Sequence, residues 1–419
     1  MKINKHYLLG LLTVLLCFNY MDRFALSVVL EDIKTDLSLS DSQLGLLSGI
    51  AFALCYSLLG VPIARWADRG DRVRIISFSA ATWSIAVTLC GFAASFVQLM
   101  LIRVIVGTGE AGCVPPSLSL IAGYFTRAER PRAVSVYMQG ISASFLIGFF
   151  AAGWLNEIFG WRVMFAVIGL PGVVLALLTR STLKDPRASD TQQEVGKAPN
   201  QTMGSVCVAL WRIATFRHLL YSVAVNWFFS YGTLQWIPTF FVRSFTMKTG
   251  ALGSWLALIY GVANLLGVYW GGEWATRHAA GNERRQLKAM AVITTVSAVL
   301  MAVMFMRSMA PNGYWALMWL GLSTLTATMT NGPQFAVLQT VVPPNMRAVS
   351  VAIVYLFGNL IGMGLGPWAA GALSDALQPW FTDESLRYAM LVLCPVCVWS
   401  AWHLWAAAKT VAGDLVHED

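Results

Sequence analysis

The sequence predicts an all-α membrane protein with twelve transmembrane helices, and three observations carry this prediction. Of the 419 residues, 57% are hydrophobic and 12% are charged, about half the charged fraction of an ordinary globular domain. Mean hydropathy is +0.62. Apolar runs of about 20 residues, the length that crosses a bilayer, recur along the whole chain. This composition excludes a soluble enzyme of this length.

Twelve apolar runs divide the chain. They lie near residues 7–30, 43–64, 75–95, 97–124, 131–153, 162–180, 218–242, 251–275, 287–307, 313–342, 347–373 and 387–409. No small-residue cleavage site follows the first run, so we expect it to stay as the first helix. Because twelve is an even number, both chain ends are expected on the same side of the membrane.

The basic residues indicate which side that is. With the N-terminus inside, 21 of the 29 lysines and arginines fall in inner segments and six fall in outer segments, while Arg23 and Arg103 lie inside apolar runs. The positive-inside rule therefore predicts that both termini lie on the cytoplasmic side of a bacterial-type inner membrane. The same asymmetry accounts for the net charge of +8, so we expect no nucleic-acid partner.

The polar segments predict two halves joined by a linker. The predicted parts are an N-terminal six-helix half at 1–180, a cytoplasmic linker at 181–217, a C-terminal six-helix half at 218–411 and a tail at 412–419. The linker is polar, and its composition is typical of a flexible segment.

The two halves share short repeated sequences at equivalent positions. ARWADR at 64–69 follows the second run and matches GEWATR at 272–277 after the eighth. RAVSV opens the fifth run at 132–136 and the eleventh at 347–351. A parallel six-plus-six repeat is the plan of alternating-access carriers, whose site lies between the halves near mid-membrane.

Four charged residues lie inside apolar runs: Asp22 and Arg23 in the first, Arg103 and Glu110 in the fourth. Each charge costs at least ~2.5 kcal/mol in a bilayer, so it should face a wet cavity or a partner. Burial raises the affinity of a carboxylate for protons, and a neighbouring cation lowers it again. We therefore interpret Asp22 and Glu110 as proton-coupling residues. A static ion pair joining the two helices is the alternative.

The two arginines and a set of uncharged polar residues are candidates for the solute site. The planar guanidinium of Arg23 or Arg103 suits a phosphate or carboxylate, or serves as a counter-ion. For Arg103, a lock that holds helix 4 to a neighbouring helix is the alternative. The uncharged candidates are Tyr56, Tyr137, Asn226, Tyr231, Gln235, Asn331 and Asn359. A helix–helix hydrogen bond is the alternative for each.

Two sequence motifs resemble the major facilitator superfamily. ARWADRGDRVR at 64–74 is similar to its loop motif between helices 2 and 3, G-x-L-a-D-R-x-G-R-R, and departs from it at Ala64, Trp66 and Asp71. Arg103-x-x-x-Gly107-x-Gly109 resembles its helix 4 motif. The resemblance implies a major facilitator fold of two six-helix pseudo-repeats.

Two branches of that superfamily share NY-x-DR in helix 1 and R-x(6)-EA in helix 4, which this chain has at 19–23 and 103–111. One is the Spinster family of lysolipid and sphingoid-phosphate carriers, and the other is the organic-anion/proton symporters. The sequences at 43–69 and 358–367 resemble Spinster more closely. That resemblance implies proton roles for Asp22 and Glu110.

The loop motif also predicts a conformational latch. Asp68 is an acid in a basic loop that includes Arg69 and Arg72. Arg347 and the dipole at the start of helix 11 would attract it, and the superfamily resemblance implies that this contact latches the outward-facing state. Anchoring at the inner membrane surface is the alternative for the arginines.

These features favour a proton-coupled secondary transporter of an amphipathic or anionic organic solute, such as a lysolipid or sphingoid phosphate. An organic-anion (sugar acid)/proton symporter is the alternative. We do not expect an enzyme, because the sequence has no recognisable nucleophile set or metal motif. We expect a monomer whose partners are the solute, protons and the bilayer, without cofactor or metal.

Overall fold

The computed structural model describes residues 4–186, 203–306 and 308–415. These residues form helices and turns, with no strand among them. Twelve helical segments, α1 to α12, follow the apolar runs of the sequence. Those of the first half are α1 Lys5–Val28, α2 Asp41–Ser48 with Ile50–Arg69, α3 Arg72–Cys90, α4 Phe96–Glu110 with Val114–Tyr124, and α5 and α6 within Arg130–Thr182.

The second half continues the same plan. Its segments are α7 Ala214–Phe245, α8 Thr249–His278, α9 Glu283–Phe305, α10 Gly313–Thr328 with Asn331–Thr340, α11 Arg347–Phe357 with Gly358–Leu365 and Gly366–Phe381, and α12 Ser385–Leu393 with Pro395–Asp414. Short helices at Leu30–Leu37 and Met203–Arg212 precede α2 and α7.

Length and hydropathy qualify eight continuous helical stretches of the described chain as membrane spans. Two of these contain two segments each: Arg130–Thr182 holds α5 and α6, and Val349–Asp414 holds α11 and α12. The break between α5 and α6 is at Gly160, whose φ of 80° favours glycine. With α7 and α10 added, these stretches account for all twelve segments.

Polar residues at the ends of the apolar runs begin several helices. Ser40 and Gln43 form a capping box at the start of α2. The side chains of Asp71, Ser95 and Asn312 accept hydrogen bonds from the first backbone N–H groups of α3, α4 and α10. These caps satisfy donors that have no partner within the helix.

The described residues group into two compact units. Unit 1 takes residues from Met1–Val195 together with Gln235–Ala257, and unit 2 takes residues from Gly196–Leu234 and Leu258–Asp419. The end of α7 and the start of α8 therefore pack with the first six helices. The six-plus-six division at 180 and 218 stays a prediction.

Close backbone packing and ion pairs hold Gln235–Ala257 in unit 1. A methyl group at Gly253 would come within 2.4 Å of the Phe149 carbonyl oxygen, so only glycine allows this approach of α8 to α5. The Arg243 guanidinium donates to both oxygens of Asp41 at 2.7 and 2.8 Å and to Glu31 at 2.7 Å. The backbone N–H of Gly250 donates to Glu157 at 2.8 Å.

Small polar contacts tie α7 to α12 inside unit 2. The hydroxyls of Ser222 and Ser400 lie 3.0 Å apart, and Thr215 donates to Asp414 at 2.7 Å. A buried apolar cluster of the same unit includes residues of α7, α9, α10 and α12. Such polar pairs satisfy side chains that a bilayer cannot hydrogen-bond.

Candidate functional site

Two crossed ion pairs join α1 to α4 inside unit 1. Arg103 Nη1 donates to Asp22 Oδ2 at 2.7 Å. Arg23 Nε donates to Glu110 Oε2 at 2.9 Å, and Arg23 Nη2 contacts the same oxygen. Asp22 and Glu110 are 0% exposed, Arg103 is 1% and Arg23 is 7%. All four predicted charges therefore meet in one buried cluster of zero net charge.

Helix geometry explains the crossing. Neighbouring residues on a helix point about 100° apart, so Asp22 and Arg23 diverge across the face of α1. Arg103 and Glu110 lie two turns apart on one face of α4, roughly 10 Å from each other. Because α1 and α4 are antiparallel, Asp22 pairs with Arg103, which is nearer the N-terminal end of α4. The longer side chain of Arg23 reaches Glu110, two turns further along α4.

Aromatic rings surround the Arg23 guanidinium. Its central carbon lies 4.3 Å from the ring centre of Tyr20, 4.5 Å from that of Phe52 and 4.9 Å from that of Tyr56. Rings at these distances attract the cation through their π faces. The predicted residue Tyr56 therefore belongs to the charged cluster, whereas the predicted Tyr137 is a buried residue of α5.

The glycines of the helix 4 motif let the neighbouring helices approach this cluster. A methyl group at Gly107 would lie 2.7 Å from the backbone oxygen of Phe52, and one at Gly109 would lie 2.7 Å from the backbone nitrogen of Trp83. Small residues at helix contacts serve this purpose in membranes. They bring the Phe52 ring of α2 to 5.4 Å from the Arg103 guanidinium.

Several polar atoms of the cluster have no hydrogen-bond partner among the described residues. They are Asp22 Oδ1, Glu110 Oε1, Arg103 Nε and both amide atoms of Asn19. Each carboxylate thus has one oxygen engaged by an arginine, and the two carboxyl groups also interact directly with each other. Sequence reasoning missed Asn19, although its position three residues before Asp22 places both on one face of α1.

The second unit carries an aromatic cluster on α7, α10 and α11. Trp227 makes edge-on contacts with Tyr231 and Tyr355, at ring-centre distances of 5.9 and 5.3 Å. Phe335 stacks on Tyr355 at 5.5 Å. A methyl group at Gly358 would lie 2.5 Å from the Trp227 ring, so this glycine admits the indole. Sequence reasoning named Tyr231 but missed Trp227 and Phe335.

The remaining predicted uncharged residues lie on the same elements or near them. Asn226 is on α7, Asn331 opens the second helix of α10, and Asn359 lies in Gly358–Leu365, a π-helical stretch of α11. π-helical stretches occur frequently at functional sites. Gln235 is buried on the part of α7 that belongs to unit 1.

The predicted latch residue Arg72 pairs with Asp185 in the structure. Arg72 is 1% exposed, and its Nε and backbone N–H donate to Asp185 Oδ2 at 2.8 and 2.9 Å. Its Nη1 also donates to the Ser119 carbonyl at 2.7 Å. Asp185 follows α6 inside the segment predicted as linker, which is why sequence reasoning passed over it. A buried guanidinium requires such partners.

The contacts of the other latch residues do not test the predicted latch, which stays a prediction. Arg347 Nε donates to the Val342 carbonyl at 3.4 Å. The side chains of Asp68 and Arg69 lie outside the described residues.

Comparison with known proteins identifies the class of this protein. The Major Facilitator Superfamily profile matches residues 12–367. The chain therefore belongs to the major facilitator superfamily, a family of transporters, and the prediction of family and fold from the sequence motifs is confirmed.

Similar proteins include a transporter of the Spinster branch and two other transporters. An MFS-type efflux pump of Mycolicibacterium smegmatis is 29% identical over 413 residues, which cover 98% of this chain and 94% of the pump. The sphingosine-1-phosphate transporter SPNS2 of Danio rerio is 27% identical and covers 93% of this chain and 81% of its own. A probable L-galactonate transporter of Escherichia coli is 22% identical, with 89% and 83% covered.

A solved structure agrees with these relatives. The crystal structure of a bacterial homolog of the human lysosomal transporter Spinster, in an inward-facing and unoccupied conformation, is 27% identical. The two superpose over 100% of both chains with a TM-score of 0.88. This similarity confirms the predicted resemblance to Spinster proteins. The protein is thus a multi-pass membrane transporter of the major facilitator fold.

Proposed function

We propose that this protein is a proton-coupled secondary transporter of an amphipathic or anionic organic solute, working by alternating access of its two halves. The observation that carries the proposal is the pair of crossed ion pairs, Asp22–Arg103 and Arg23–Glu110, buried between spanning helices. Buried charges inside membrane spans are costly, so their presence indicates a functional site.

Proton binding at this cluster would bias the conformational equilibrium. Protonation of Glu110 cancels its attraction for Arg23, which is then available for an anionic group of the solute. The same holds for Asp22 and Arg103. A ligand or proton shifts the two access states only through different affinities for them. Release of an arginine on protonation supplies such a difference.

We propose a solute with an anionic head and an apolar tail, such as a lysolipid or sphingoid phosphate. The arginines of unit 1 suit the head, and the aromatic cluster around Trp227 in unit 2 suits the tail. Similarity to a sphingosine-1-phosphate transporter supports this solute class. The protein would act as a monomer in a bacterial-type inner membrane with both termini in the cytoplasm.

A sugar-acid/proton symporter is the second candidate. Similarity to a probable L-galactonate transporter favours it, and the arginines suit a carboxylate as well as a phosphate. The two candidates differ in the second unit. A tail needs the apolar rings, whereas a sugar acid needs the polar groups of Asn226 and Asn331.

The test is ligand binding by the purified protein and by Glu110→Gln, from about pH 5 to about pH 8. The ligands are a sphingoid phosphate and a sugar acid. Binding of each is measured by quenching of tryptophan fluorescence. We expect lipid binding whose pH dependence disappears in Glu110→Gln. Glu273→Gln is the matched control, because Glu273 pairs with Arg277 at the partly exposed end of α8.

Other outcomes separate the candidates. Binding of the sugar acid alone would favour the second candidate. An unchanged pH dependence in Glu110→Gln would contradict the proton role and leave Glu110 as part of a structural ion pair.

A further inference from the structure

A pair of histidines joins α7 to α12 inside unit 2. The Nδ1 atoms of His218 and His403 lie 3.0 Å apart, which is a hydrogen-bond distance. His403 is 7% exposed, and His218 is partly exposed near the start of α7. Neither residue is part of the charged cluster of unit 1 or of the aromatic cluster around Trp227.

Other contacts between the same two helices hold the imidazole rings together. On one side of the pair, the hydroxyls of Ser222 and Ser400 lie 3.0 Å apart, and Ser400 donates to the Ser222 carbonyl at 2.9 Å. On the other side, Thr215 donates to Asp414 at 2.7 Å. The short distance between the rings is therefore maintained by contacts that do not involve the rings themselves.

Aromatic side chains surround His403. Its ring centre lies 4.8 Å from that of Trp402, 5.3 Å from that of Tyr221 and 5.9 Å from that of Trp399. Aromatic rings at such distances can stabilise a positive charge through their π systems. This surrounding suits an imidazole that carries a proton.

Charged groups on the neighbouring elements limit how much positive charge the pair can hold. Arg217 acts directly on His218, and its guanidinium repels an imidazolium there. On α9, the Lys288 ammonium lies 5.4 Å from the ring centre of Trp405, two residues after His403. These cations oppose a second charge, whereas the aromatic rings favour a first.

The chemistry of the imidazole ring explains how one proton could be held. In the neutral pair, one ring donates its Nδ1–H while the other accepts at Nδ1 and carries its own proton on Nε2. A first proton binds Nε2 of the donating ring, so the hydrogen bond is kept and becomes charge-assisted. A second proton would have to bind the accepting Nδ1. Two N–H groups would then face each other at the observed 3.0 Å.

We propose that His218 and His403 form a proton site in unit 2 that binds one proton and resists a second while α7 and α12 stay in contact. An unperturbed histidine loses its charge near pH ~6.5, so this site would titrate close to physiological pH. The two protons bind in separate steps that belong to the pair. The inference goes beyond the proposed function, because it does not depend on Asp22 or Glu110.

A metal ion fits the pair less well than a proton. Two imidazole nitrogens bound to one tetrahedral metal ion lie about 3.3 Å apart, since each is about 2.0–2.1 Å from the metal. The two Nδ1 atoms are closer than this. Within the described part of the chain, no group of three His, Cys, Asp or Glu side chains is placed to hold a metal ion.

The test is solid-state NMR of the full-length protein in lipid bilayers, with labelled histidine nitrogens, from about pH 4 to about pH 8. We expect a through-space correlation between the two Nδ1 nuclei. We also expect two protonation steps separated by more than about one pH unit, a tenfold difference in proton affinity. His403→Phe, which keeps a ring but removes its nitrogens, should abolish the correlation and leave His218 titrating in one step.

Two variants serve as controls. His278→Phe changes an exposed histidine at the end of α8 and should leave the correlation and both steps unchanged. Glu110→Gln should also leave them unchanged, because the pair is separate from the charged cluster. If His403→Phe fails to fold, the wild-type titration decides, since the correlation and the two steps belong to the unaltered protein.

Thermal melting across pH gives a second measurement. Below the second step, the folded protein would hold two imidazolium rings together, whereas the unfolded chain separates them. The unfolded state then binds more protons, so the stability contributed by the pair falls as pH falls. The melting temperature of the wild type should therefore approach that of His403→Phe in acid, while its difference from His278→Phe stays constant.

Four results would overturn the inference. They are a single shared midpoint for both rings, two steps that persist in His403→Phe, loss of the correlation when a chelator is added, or a melting difference from His403→Phe that does not change with pH. Failure of the proposed function is distinguishable from these. It appears as an unchanged pH dependence of ligand binding in Glu110→Gln, whatever the histidine pair does.

Discussion

The two units differ in the side chains that cluster on their spanning helices. Unit 1 buries two carboxylates and two arginines around α1 and α4. Unit 2 instead presents aromatic rings along α7, α10 and α11, with Trp227 at their centre. A carboxylate can bind a proton, whereas an aromatic ring packs against apolar surface. The proposal uses this difference: the charges of unit 1 suit a proton and an anionic group, and the rings of unit 2 suit an apolar group.

The largest expected effect comes from removing one arginine of the crossed pairs. Arg103→Met leaves Asp22 buried without its 2.7 Å partner. Loss of one member of a buried pair costs about 3–5 kcal/mol, so we expect a large fall in the thermal stability of the purified protein. The double variant Asp22→Asn/Arg103→Met removes both charges and should recover much of it. Equal stability of the single and double variants would refute the pairing.

The next effect tests tail recognition in unit 2. Trp227→Ala removes the central ring of the aromatic cluster, and we expect affinity for a sphingoid phosphate to fall by about tenfold, or about 1.4 kcal/mol. Affinity for a short anion without a tail should change little. Trp270→Ala, at an exposed tryptophan of α8, is the control. A similar loss for both ligands would contradict the division of roles.

A smaller effect concerns the packing of Gln235–Ala257 in unit 1. Gly253→Ala places a methyl group against the Phe149 carbonyl, and overpacking of this kind costs about 1–3 kcal/mol. We expect a lower melting temperature. Gly272→Ala in the same α8 segment meets no atom within 4 Å, so that variant should melt at or above the wild-type temperature. Identical melting of the two variants would argue against this close contact.

The smallest effect comes from an exposed ion pair between the start of α1 and the residue before α5. Lys5 Nζ lies 2.5 Å from Glu129, and hydrogen bonds from Lys5 and from Thr126 lower the pKa of Glu129 from 4.5 to about 2. A lowered pKa stabilises the folded state above the unfolded pKa, and this contribution disappears as pH falls from 4.5 toward 2. Glu129→Gln should therefore melt slightly below wild type at neutral pH and converge with it in acid.

Much of the architecture could be predicted because bilayer physics restricts it. Length and hydropathy locate helices, and basic residues indicate their orientation. The four buried charges were also evident, since charges inside apolar runs are rare. Their pairing was not, because Asp22 and Arg23 are adjacent and either could face α4.

The missed residues share a cause. Asn19 and Trp227 are uncharged residues within apolar runs, and only their neighbours in three dimensions distinguish them. Asp185 lies in a polar sequence that reads as linker, yet it pairs with Arg72. Such roles depend on contacts between residues distant in sequence, which periodicity and composition do not encode.

The central claim is that Asp22 and Glu110 carry the proton that drives transport. The most direct measurement follows proton movement in vesicles containing the purified protein, with a pH-sensitive dye inside and a sphingoid phosphate or sugar acid added outside. The account predicts solute-dependent proton movement for the wild type and its loss in Asp22→Asn and Glu110→Gln. Proton movement that persists in both variants would contradict it.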